Sequence, residues 1–69
     1  SNNSQKVAYQ ERLNIVSAKL ALTDAHANPT TDNLQAAQTA IDKIATTSKK
    51  ADLQSQLDNL TQSGQSGQE

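Results

Sequence analysis

The chain has no cysteine, methionine, phenylalanine or tryptophan, and only one tyrosine, one proline and two glycines in 69 residues. Without cysteine there is no disulfide staple and no thiolate metal site, and the single His26 falls short of the three or four protein ligands a zinc centre needs. A chain this short buries only about 60% of the surface it exposes when unfolded, so its stability rests on a simple packed core. With Tyr9 as the sole ring there is no row of aromatics on which sugars or single-stranded bases stack. The net charge is −1 and the pI 5.6, which is not the basic footprint of a nucleic-acid-binding domain. No apolar run approaches the roughly 20 residues of a membrane span, and the N-terminus shows no signal-peptide pattern.

What the chain does contain is uncharged polarity and helical periodicity. Ser, Thr, Asn and Gln make up 29 of the 69 residues, a surface unlike the Glu/Lys-rich one usual for cytosolic helical proteins, and it points to a secreted or cell-surface origin. Tyr9, Leu13, Val16 and Leu20 are spaced four, three and four apart, with Ala8, Ile15, Ala18 and Leu22 beside them, which predicts a helix over about 5–26 with that stripe as its core face. Leu34, Ala37, Ile41 and Ile44 mark a second helix over about 32–46. Leu53, Leu57 and Leu60 mark a third over about 49–62. None of the three is stable alone in water.

Between the first two stands Asn28-Pro29-Thr30-Thr31-Asp32. Pro29 cannot continue a helix and pushes Asn28 to extended geometry, so the first helix stops there. Asp32 reads as the N-cap of the second helix because Gln35 follows three residues later in capping-box register, with Thr31 as the competing cap. Thr46-Thr47-Ser48 forms the second connector, in which Thr47 or Ser48 caps the third helix. Three amphipathic helices on short loops predict an all-α, antiparallel up-down-up three-helix bundle. The polar ends, residues 1–4 and the Gln/Ser/Gly stretch 63–69, read as a tail and a linker around a folded unit of 5–62.

No catalytic constellation is present. His26 has Thr23 and Asp24 near it in sequence, but neighbours two apart do not share a helix face, so His26 reads as an exposed helix-end residue favoured by the dipole. Asp24, Asp32, Asp42, Asp52 and Asp58 are scattered and make no calcium loop. Asn2-Asn3-Ser4 and Asn59-Leu60-Thr61 match a glycosylation pattern too short to count. Tyr9 is expected to pack, with its hydroxyl at the rim. The only candidate contact is basic: Lys43, Lys49 and Lys50 cluster at the second connector, where they offset the negative end of the second helix and can meet an anionic polymer weakly. No cofactor and no metal are expected, and the chain is not expected to be an enzyme.

The run NLQAAQTAIDKI followed by KKADLQSQLDNL resembles small three-helix modules of Gram-positive surface proteins, namely the albumin-binding GA-type module, the FIVAR-type repeat and the helical module of the crystal-toxin group. The likeness covers about residues 32–60 and is carried by Leu34, Ala37, Ile41, Leu53 and Leu57. A fainter one, carried by the Gln-Ser-Gly tail, is to helical extracellular pedestals of streptococcal cell-wall or division-site proteins. These resemblances imply a three-helix module of a bacterial surface; with the linker-like ends and no site chemistry, the expectation is a non-catalytic extracellular spacer or pedestal. The alternative is an adhesive module that binds a host protein or wall polymer through a helix face. The expected partners are neighbouring domains of the same chain, and a monomer without nucleic acid or membrane span is expected.

Overall fold

The computed structural model describes the backbone of residues 2–66 and the side chains of residues 3–61; Ser1 and residues 67–69 of the expected tail and linker lie outside the described residues. Three helices follow one another: α1, Asn2–Ala27; α2, Thr31–Asp42; and α3, Thr47–Ser66. They pack as the expected up-down-up bundle. Gln38 meets Gln54 across α2 and α3, and Thr31 shares a surface cleft with Thr61, so those two helices are antiparallel. The start of α2 follows the end of α1 by a short turn and its end meets Asn14, so α2 runs antiparallel to α1 as well, and α1 and α3 are parallel. The molecule is a rod of 53 × 19 × 13 Å.

The core consists of Ala18, Leu22 and Ala25 from α1, Ala37 and Ile41 from α2, Ile44 from the connector, and Leu53 and Leu57 from α3, with Ile15, Ala21, Leu34, Ala40 and Leu60 packed around them. Ile41 is its one large side chain with no exposure at all. The alanines at 18, 25 and 37 let α1 and α2 approach closely, and theirs is the most extensive helix contact.

The buried face of α1 is only part of the expected one: Ile15, Ala18 and Leu22, expected beside the stripe, pack in the core, but the stripe itself does not. Val7, Tyr9, Leu13, Val16 and Leu20 are all exposed, Tyr9 included. The helix turns inward the opposite side, a series running Glu11, Asn14, Ile15, Ala18, Ala21, Leu22, Ala25. At 100° per residue the two stripes stand about 180° apart, so α1 is apolar on both sides. The tight turn at Asn28 to Thr30 decides between them. It forces the last turns of α1 onto the first turns of α2, and there the buried series offers Leu22 and Ala25, whereas the other continues as Thr23, Asp24 and Ala27.

The helix ends also differ from expectation. Thr30, extended at φ −75° and ψ 160°, is the N-cap of α2, its Oγ1 accepting the Asn33 N–H. Neither Asp32 nor Thr31 holds that place, because the helix resumes as soon as Pro29 has been passed. Asp32 instead sits in the first turn, where its charge meets the positive end of the helix. Asn33 reaches back to donate from Nδ2 to the Asn28 carbonyl at 2.9 Å. At the other end α2 stops at Asp42 rather than 46. The Lys43 and Ile44 N–H groups bond three residues back, to the Ala40 and Ile41 carbonyls, a tightening that closes the last turn and tucks Ile44 under the core. α1 begins at Asn2, so the expected tail is its first turn. α3 starts at Thr47 and continues to Ser66 through the expected linker, since one glycine, Gly64, costs a helix only about 1 kcal/mol.

Candidate functional surfaces

Lys43 caps the end of α2, while Lys49 and Lys50 lie in the first turn of α3, and all three are exposed. Lys43 is thereby placed to offset the negative end of α2. Lys49 and Lys50 stand at the positive end of α3, where the dipole opposes them. What balances that end is Glu11, a residue that sequence reasoning did not single out. Its carboxylate accepts hydrogen bonds from the Ala45 N–H at 3.0 Å, the Thr46 N–H at 2.7 Å and the Thr46 hydroxyl at 2.6 Å. The Thr46 hydroxyl and then the two backbone donors hold the Glu11 carboxyl below its ordinary pKa. One turn on, Asn14 donates to the Lys43 carbonyl at 3.4 Å. The basic connector is thus pinned to α1 by an acid, which lowers its appeal to an anionic polymer.

A polar ladder locks α2 to α3. Gln38 and Gln54 exchange reciprocal amide bonds of 2.7 and 2.9 Å, and each donates outward again, Gln38 to Asp42 and Gln54 to Asp58. Every amide in this row has a partner, so its role is register rather than recognition.

An open groove of about 800 Å³ lies between α1 and α3, lined by the apolar Leu22, Leu53 and Leu60 and the polar Lys19, His26 and Asn59. His26 is exposed in the last turn of α1, as expected. No nucleophile–base pair converges on it, and among the described residues no group of acidic, His or Cys side chains could hold a metal ion. Among the described residues no helix is long and apolar enough to cross a membrane.

The remaining surface feature is the outer face of α1. Tyr9, Leu13, Val16 and Leu20 form a continuous apolar line, and the Arg12 guanidinium lies 5.8 Å from the centre of the Tyr9 ring. No family model, curated protein or solved structure matches this chain.

Proposed function

We propose that the chain is a non-catalytic helical spacer or pedestal of a bacterial cell-surface or cell-wall-associated protein, acting outside the cell. The observation that carries the reading is polarity of shape. An odd number of antiparallel helices brings the chain in at one end of a 53 Å rod and out at the other, so inserting the module separates whatever flanks it. The uncharged polar surface suits an extracellular setting, and two polar locks, Glu11 on the connector and Gln38 on Gln54, hold the helices in register.

One observation favours the adhesive alternative: the free apolar face of α1. Tyr9 and Arg12 are the only residues on it of the types that usually anchor an interface, and the exposed Lys43, Lys49 and Lys50 offer only a screened attraction to a wall polymer. The test is co-sedimentation with insoluble peptidoglycan and titration with serum albumin, both at about 0.15 M salt. A spacer shows no saturable micromolar binding in either. Such binding would overturn the spacer reading and establish the adhesive one.

A further inference from the structure

The bundle leaves uncovered a face of α1 that has the geometry of a coiled-coil seam. Tyr9, Leu13, Val16 and Leu20 are 58%, 42%, 53% and 63% exposed and fall within an arc of about 60° on the side away from the core. Tyr9 and Val16 repeat after seven residues, and so do Leu13 and Leu20. This 3.5-residue repeat keeps one seam facing a partner helix. We propose that this face pairs α1 with α1 of a second copy of the chain, in parallel, as a weak two-stranded coiled coil.

The charges beside the seam identify the occupant and its direction. Arg12 and Lys19 each precede a seam leucine and line one flank. Gln10, Ser17 and Asp24 line the other. In a parallel pair the flanks of opposite type face each other, which brings Lys19 to Asp24 of the second copy, twice by symmetry. In an antiparallel pair equal flanks meet, so Arg12 and Lys19 confront the second copy's Lys19 and Arg12 with no carboxylate between them. The seam is therefore complementary to itself in one direction only. The single like-charge contact of the parallel pair is between the two Lys6 residues. These lie at the free end of α1, where residues 3–10 are all exposed and long side chains splay into water.

Four side chains about half exposed bury less than the roughly 800 Å² per partner of a standard interface, so the pairing is weak in dilute solution. Copies tethered side by side on one surface meet at far higher effective concentration. The pairing does not depend on the spacer reading, and it replaces the expectation of a monomer with one that depends on concentration.

Sedimentation equilibrium of the full chain from about 10 µM to about 1 mM reads it directly. The mass climbs from 7.4 kDa toward twice that value. Leu13→Glu and Leu20→Glu, both at exposed positions, hold the monomer mass across the range while circular dichroism keeps its helicity. Lys19→Asp weakens association about tenfold, and Lys19→Asp combined with Asp24→Lys restores it. A mass that stays at 7.4 kDa to the highest concentration overturns the proposal. Dimers that survive both glutamate substitutions overturn the choice of face, and a charge swap that fails to restore association overturns the parallel arrangement.

Discussion

Glu11 on α1 holds Thr46 at the start of α3 by two hydrogen bonds, 2.7 Å from the backbone N–H and 2.6 Å from the hydroxyl, across 35 residues of sequence. The contact ties α1 to the connector that leads into α3, and it supplies an acceptor to the Thr46 N–H at the helix start.

Stability should accordingly depend on Glu11 ionisation. Its folded pKa lies below the ordinary value of 4.5, so its contribution is fully present above about pH 4.5 and is lost as pH falls through the folded value. Thermal melts of the wild type should show a falling midpoint over that acid range. Glu11→Gln should lower the midpoint at pH 7 and flatten the acid-side slope. An unchanged slope in the variant would assign the pH dependence to other carboxylates.

At the other turn the cap ranking is the expected outcome. Thr30→Ala should cost about 0.5–2 kcal/mol in chemical denaturation, and Thr31→Ala only a few tenths. Asp32→Asn should cost about 0.3–1 kcal/mol at low ionic strength, fading with added salt, because Asp32 acts through the dipole rather than as a cap. A larger loss at Asp32 than at Thr30 would contradict the capping geometry.

The register ladder should behave as a coupled pair. Gln38→Ala and Gln54→Ala should each cost about 0.5–1.5 kcal/mol. The double substitution should cost clearly less than their sum, since each single change already breaks both reciprocal bonds. Simple additivity in the cycle would mean that the two amides do not act together.

These contacts show where sequence reasoning succeeds. Leu34, Ala37, Ile41, Leu53 and Leu57 were legible because α2 and α3 each carry a single apolar stripe, and Pro29 marks its turn by covalent geometry. α1 was misread because it carries two stripes, and the one with the larger side chains, Tyr9 to Leu20, looked the better core. The signal that separates them is the end of the series: Leu22 and Ala25 stay apolar at the turn, while Thr23 and Asp24 do not. With the stripe placed correctly, Glu11 and Asn14 stand out as polar residues at the end of a buried face, which calls for polar partners. The identity of those partners, Thr46 and Lys43, depends on loop-to-helix contact far along the chain, and no local pattern encodes it. The α2 cap stands two residues before the capping-box match at Asp32, because the helix restarts immediately after Pro29.

The division of α1 into a core face and a free face underlies the packing of the bundle and the pairing, and two leucine substitutions two residues apart test it. Urea denaturation at low micromolar concentration, where pairing is absent, should show Leu22→Ala losing about 2–5 kcal/mol, as Leu57→Ala should in α3. Leu20→Ala, 63% exposed, should stay within about 0.5 kcal/mol of the wild type. A large loss at Leu20 with little at Leu22 would mean that the stripe from Tyr9 to Leu20 is the core, and would contradict the account.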